Sequence, residues 1–153
     1  MNLTLYQSGI KNVIFGQDVK IVEPVNIYGC AIGDNCFVGP FVEIQKDVTI
    51  GKRTKIQSHT FICELVRIGD DCFISHGVMF INDLFQRGGP AKGDKSLWVS
   101  TSIGNHVSIG SNATILPVDI CDRVVIGAGA VVTKSINRPG IYAGNPAKLI
   151  KEL

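Results

Sequence analysis

The chain has no apolar run near the roughly 18–20 residues needed to cross a bilayer, although hydrophobic residues make up 45% of it. It has no basic block of the kind that binds nucleic acid and no acidic tail; the formal net charge is only +2. The segment from Met1 to Ile10 shows no basic stretch followed by an apolar one, so no signal peptide is expected and the default location is cytoplasmic. Five cysteines, Cys30, Cys36, Cys63, Cys72 and Cys121, form no CxxC pair. An odd, scattered set argues against a disulfide framework, and the spacing is too open for a zinc site. Only three histidines are present, His59, His76 and His106. The length, 153 residues, suits one domain, 1–153, with a core that needs no staples.

What the chain does have is a repeat. Large apolar residues recur every six positions at Ile32, Val38, Ile44, Ile50, Ile56, Ile62, Ile68, Ile74 and Phe80. Four places further on in each hexad stand Cys36, Val42, Val48, Thr54, Thr60, Val66, Cys72, Val78 and Leu84. Ile21 and Ile27 precede this run, separated from it by a five-residue step to Ile32. After a gap the phase returns at Ile103, Ile109 and Ile115, slips by one, and continues through Ile120, Ile126 and Val132. A period of six fits neither an amphipathic helix nor an alternating strand. It fits a short strand and a tight corner, three of which close a triangular coil of about 18 residues, stacked on its neighbours roughly 4.8 Å apart. Residues 18 apart should then form interior columns, such as Ile32, Ile50 and Ile68. Corners such as Ile32-Gly-Asp-Asn and Ile68-Gly-Asp-Asp carry turn chemistry, with Gly expected to take positive φ and Asp or Asn to bond its own backbone. Cys36 and Cys72 fall at small apolar positions and should be buried thiols.

The repeat resembles that of the hexapeptide-repeat acyltransferase family from about Ile14 to Leu149. The resemblance implies an all-β, left-handed parallel β-helix working as a homotrimer with sites between subunits. The hand comes from the resemblance alone and runs against the usual right-handed crossover.

Chemistry is expected where the repeat breaks. Hexads stop between Asn82 and Leu97, a stretch rich in Gly, Pro and charge that reads as a loop thrown out from one corner. Trp98, just after it, is expected to anchor it. The end of the chain, Ile126-Gly-Ala-Gly-Ala-Val-Val-Thr-Lys and then Asn137-Arg-Pro-Gly-Ile-Tyr-Ala-Gly-Asn-Pro-Ala-Lys, resembles the C-terminal signature of acetyl-CoA-dependent members. By that resemblance Gly110, Ala113, Gly127 and Ala128, with Gly129 and Ala130, admit the pantetheine arm. Lys134, Arg138 and Lys148 would meet the CoA phosphates. The competing reading is that the small residues only narrow the last coil.

In this family a hydroxyl acceptor commonly relies on a histidine in the inserted loop as general base. The loop here has none, which favours an amine, already nucleophilic as its free base. The stretch Val78-Met-Phe-Ile-Asn-Asp-Leu-Phe resembles sugar-nucleotide 3-N-acetyltransferases. That implies transfer of acetyl from acetyl-CoA to a dTDP- or UDP-linked amino deoxysugar, most specifically a dTDP-3-amino-3,6-dideoxyhexose, in surface polysaccharide biosynthesis. Asn82 would orient the sugar or its amine and Asp83 hold the ammonium; a simple corner pair is the alternative. His59 and His76 would line one edge of a groove reached by a neighbour's loop, or be ordinary surface residues. His106 is a weaker candidate, and Arg87, Lys92 and Lys95 in the loop could meet a pyrophosphate or simply be solvated. Neither nucleic acid, membrane nor metal is expected as a partner. Three readings compete: an O-acetyltransferase of the serine, maltose or galactoside type, a non-catalytic scaffold, and a metal-dependent hydrase of the carbonic anhydrase type. The last would need a closely spaced histidine pair that the sequence lacks.

Overall fold

The computed structural model describes residues 2–153. Strands of two to four residues stack in parallel as a left-handed solenoid of about seven turns, with a last, five-residue strand antiparallel at one end. Its three flat faces are sheets of seven, six and eight strands. The first face includes Glu43–Ile44, Phe61–Ile62, Met79–Phe80, Thr114–Ile115 and Val131–Val132. The second includes Thr49–Ile50, Val66–Ile68 and Thr101–Ile103, and the third Lys55–Ile56, Phe73–Ile74, Ser108–Ile109 and Val124–Ile126. The chain visits the faces in the order first, second, third, so each corner lies between two named faces.

The hexad residues point inward as their spacing predicts. Ile32 pairs with Ile50 and Ile50 with Ile68, 18 residues apart in the middle coils. Phe15–Ile32 and Ile103–Ile120 are one residue shorter, which is the slip visible in the sequence. Ile27, Ile44, Ile56, Ile62, Ile74, Ile109 and Ile115 have no exposed surface. Burying each contributes about 1.5–3 kcal/mol of transfer free energy. The second hexad position is buried from Cys36 through Val78. Its polar members are bonded: the Thr54 hydroxyl donates to the Gly69 carbonyl (2.9 Å) and that of Thr60 to Ser75 (3.0 Å). Leu84, which continues the pattern in sequence, is exposed because the chain has already left the prism. Cys36 and Cys72 are buried as expected, their thiols facing the Gly51 and Gly104 carbonyls.

The corners differ from expectation in two respects. Gly33, Gly51, Gly69 and Gly104 do not take positive φ; a Cβ at each would run into the next coil. Asp34, Asp70, Asn105 and Asp122 do not bond their own backbone; each accepts an amide of the preceding coil, at 2.7–3.0 Å. This corner therefore stitches coil to coil. The residue after each, Asn35, Asp71, His106 and Arg123, adopts the left-handed region, as does Arg53 at the equivalent place in its coil.

Ile68 pairs with Ile103 across the insertion, 35 residues apart, so about one coil's worth of chain leaves at the corner between the first and second faces. At the other end the strands Gly140–Ala143 and Lys148–Glu152 fold back antiparallel and close the third face. Among the described residues no helix is long and apolar enough to cross a membrane.

Candidate active site

The loop is tied at its neck rather than hanging free. Asp83 bridges to Trp98, and the Val99 amide donates to the Asn82 carbonyl (2.9 Å). The Asp83 carboxylate accepts the amides of Phe85 (2.9 Å) and Ala91 (2.7 Å), one on each oxygen. Asp94 caps a short 3-10 turn at Lys95–Leu97, so the loop has local order that its composition did not suggest.

Beneath the neck lies a cavity of about 430 Å³ lined by Gln45, Phe61, Cys63, Glu64, Phe80, Ile81, Asn82, Asp83, Phe85 and Trp98. Its lining combines aromatic rings with the Glu64 and Asp83 side chains. Glu64 is the residue that sequence reasoning missed. Its side chain is only 11% exposed, and it accepts a 2.7 Å bond from the Lys95 ammonium, which reaches down from the loop. The Asn82 amide in turn donates to the Glu64 carbonyl (3.2 Å). Glu64 precedes Asn82 by 18 residues, so the column rule used for the core would have found it one coil below. Burial first, and then the Glu43 and Glu64 carboxylates, push the nearby Tyr28 phenol above its ordinary pKa. Cys63, also in the wall, is no nucleophile: burial drives its thiol up to about 12.

The loop cations are divided. Arg87 pairs with Asp94 (3.6 Å), Lys95 with Glu64, and Lys92 is exposed. They form no common phosphate cradle.

The histidines lie elsewhere. His59 and His76 occupy the corner between the third and first faces, where the chain bends through Phe41, His59, Gly77, Asn112 and Gly129, all left-handed. The His59 ring stacks on Phe41 at 4.9 Å, and both histidines are exposed. His76 shares its column with Ser58, as the spacing predicts: the amide of Gly77 bonds Ser58 and that of Asn112 bonds His76. His106 is on the third corner, beside Asp71. One chain therefore brings Asn82, Asp83 and Glu64 together on one edge of the first face and His59 and His76 on the other.

The Gly-Ala segment continues the His59–His76 edge. Ala128 and Gly129 are exposed there, and a side chain added at Gly129 would meet nothing within 4 Å. Gly110 and Gly127 are glycine for packing: a Cβ at Gly110 would run into the Ala128 and Gly127 backbone, and one at Gly127 would lie 2.9 Å from the Ala143 Cβ. Ala113 and Ala130 have no exposed surface, so they fill the prism interior and offer no contact to a ligand. That corrects the expectation for Ala113; its smallness lets the interior column narrow. Of the basic residues, Lys148 pairs with Ala143 across the antiparallel turn and so lies beside the Gly127–Gly129 edge. Arg138 is engaged by Glu152, and Lys134 follows Val131–Val132 onto the loop's edge. No group of metal-ligating side chains occurs among the described residues.

Two family descriptions match, "Bacterial transferase hexapeptide (six repeats)" over residues 29–64 and "Hexapeptide repeat of succinyl-transferase" over residues 100–134. Among curated proteins, the bifunctional protein GlmU of Streptococcus uberis is 30% identical over 99% of this chain. The chain spans only 30% of that relative's length. Among solved structures, an N-acyltransferase from Bacillus cereus, AntD, in complex with dTDP and coenzyme A superposes with a TM-score of 0.72. It is 26% identical over 94% of this chain and 82% of its own. A hexapeptide transferase family protein from Anaplasma phagocytophilum, 18% identical over 94% of this chain and 82% of its own, superposes at 0.74 and shares the fold. The resemblance to hexapeptide-repeat transferases stated from the sequence is thus borne out.

Proposed function

We propose that this chain, a hexapeptide-repeat β-helix of the transferase type, is an acetyl-CoA-dependent N-acetyltransferase acting on the amino group of a nucleotide-linked amino deoxysugar. The observation that carries the reading is the pocket under the loop, which is acidic, aromatic-walled and free of histidine, and so suits a cation rather than a neutral hydroxyl. Support comes from the N-acyltransferase AntD, whose structure holds dTDP and coenzyme A. The finer choice, a dTDP-3-amino-3,6-dideoxyhexose made for a surface polysaccharide, rests on the likeness of Val78–Phe85 to the sugar-nucleotide enzymes.

The two edges of the first face take the two substrates. Asn82, Asp83 and Glu64 form the acceptor end, Asp83 holding the loop over the sugar with lone pairs to spare on each oxygen. Gly127, Ala128 and Gly129, with Lys148, form the donor end. Because a whole face separates the two edges in one chain, a complete site needs two chains, the loop edge of one against the Gly-Ala edge of the next. A homotrimer with three such clefts satisfies this, and it sets His59 and His76 against the neighbour's loop. Lys134, on the loop edge, and Arg138 then meet CoA phosphates only across that cleft.

In the reaction the bound ammonium gives one proton to the Asp83 carboxylate, and the amine nitrogen, then a free base, attacks the thioester carbonyl. The tetrahedral oxyanion collapses, the C–S bond breaks, and the departing thiolate takes the proton shed by nitrogen. No acyl-enzyme is involved, in keeping with the unreactive Cys63 thiol. A positioned backbone amide serves the oxyanion. The experiment is a thiol-release assay with acetyl-CoA against 3- and 4-amino nucleotide sugars, with sedimentation to read assembly. Thiol release with an amino sugar and a trimeric mass support the reading. Faster transfer to a free sugar hydroxyl overturns it in favour of O-acetylation, and failure to bind acetyl-CoA favours a scaffold.

A further inference from the structure

The Lys95–Glu64 pair joins the charged loop to the wall of a solenoid coil. Its chemistry is that of the proposed substrate. A primary ammonium on a flexible stem lies 2.7 Å from the carboxylate and 5.2 Å from the centre of the Trp98 ring. Glu64 is nearly buried, whereas the Lys95 side chain is 51% exposed, so the cation is the exchangeable partner. The other carboxylate, Asp83, already accepts two loop amides, whereas among the described residues the side-chain oxygens of Glu64 receive only Lys95.

From this arrangement we infer that Glu64 is a specificity-determining residue, and that Lys95 is an internal ammonium that holds the acceptor position on it until a substrate ammonium displaces it. The inference rests on the amine-acceptor reading and deepens it. Displacement by another cation leaves Glu64 paired. Displacement by a neutral hydroxyl leaves an ionised, nearly buried carboxylate without a counter-charge, which is strongly unfavourable. The pair thus admits an amino sugar and turns away its hydroxyl counterpart, although the two have nearly the same shape. Lys95 also weakens the binding of either sugar by the fraction of molecules in which the site is already filled. Glu64 pushes the Lys95 ammonium above its ordinary pKa, chiefly through that hydrogen bond, so the resident cation stays charged across the neutral range.

The test is calorimetry on the full chain with two probes, a dTDP-linked 3-amino-3-deoxyhexose and the dTDP-hexose bearing a 3-hydroxyl. In Lys95→Met the amino sugar should bind about tenfold more tightly, as expected if Lys95 fills the site roughly nine-tenths of the time, and the preference for the amine over the hydroxyl sugar should persist. In Glu64→Gln the preference for the amine should fall at least tenfold. Unchanged or weaker amine binding in Lys95→Met shows that the pair only pins the loop and overturns the inference. Loss of the preference for the amine in Lys95→Met overturns it too. Wild-type protein that binds neither probe defeats the acceptor reading itself, whereas wild type that prefers the amine, with Lys95→Met unchanged, defeats only the role given to Lys95.

Discussion

Replacing Gly129 by asparagine separates the two readings of the Gly-Ala segment, a cofactor edge or merely a narrowed coil. Gly129 has φ +68°, and a Cβ there would meet nothing within 4 Å. The same corner holds Asn112 at φ 59° and His59 at φ 63°, so the solenoid accepts side chains in this conformation. Asparagine tolerates the left-handed region better than other residues with a Cβ. Its cost should stay within about 1 kcal/mol, below the roughly 1–2 kcal/mol of a general left-handed residue. If Gly129 is open because the pantetheine arm passes over it, the added amide occupies that path. Affinity for acetyl-CoA should fall at least tenfold, about 1.4 kcal/mol. Calorimetry with coenzyme A, beside a urea melt followed by circular dichroism, reads both quantities. Full stability with unchanged affinity would refute the cofactor edge. Lost stability would refute the claim that the corner has room.

Further outcomes follow from the same geometry. Asp83→Ala and Asn82→Ala should each lower turnover at least tenfold, about 1.4 kcal/mol in barrier, while leaving the melting temperature nearly unchanged because the loop lies outside the prism; unaltered kcat in both removes them from the site. Ile68→Asp should abolish folding by burying an unpaired charge, and Ile74→Ala, at a position with no exposed surface, should cost about 2–5 kcal/mol in a urea titration. In native protein at pH 8, Cys121, the one half-buried cysteine, should react with a thiol reagent before Cys30 and Cys63, whose thiols burial pushes up to about 11 and about 12; equal rates would show that the coils open. Asp71 is held below its ordinary pKa first by its hydrogen bonds from Arg53. A depressed folded value gives stability present above the unfolded pKa, roughly 4, and lost as pH falls through the folded value. The stability gap between wild type and Arg53→Ala should therefore be open at neutral pH and close below about pH 4.

The prism was legible because a period of six leaves one strand-and-corner solution, and Ile32, Ile50 and Ile68 stack where that period puts them. The position of the loop was legible for the same reason, as the place where hexads stop. What stayed hidden depends on direction rather than spacing. Asp70 and its equivalents reach to the preceding coil, which a local turn preference does not reveal. Ala113 belongs to the small residues by composition and to the core by orientation. Glu64 reads as an ordinary polar corner residue until Lys95 comes down on it from 31 positions away. The spread of Lys134, Arg138 and Lys148 over different edges follows from how the tail folds back, which no motif encodes.

The central claim is that the acceptor is an amine. Its most direct test is mass spectrometry of the product formed from acetyl-CoA and an equimolar mixture of a dTDP-linked 3-amino-3-deoxyhexose and its 3-hydroxyl counterpart. The account predicts acetylation of the amino sugar alone, on nitrogen, with coenzyme A released in equal amount. Acetyl ester on the hydroxyl sugar as the main product would contradict it.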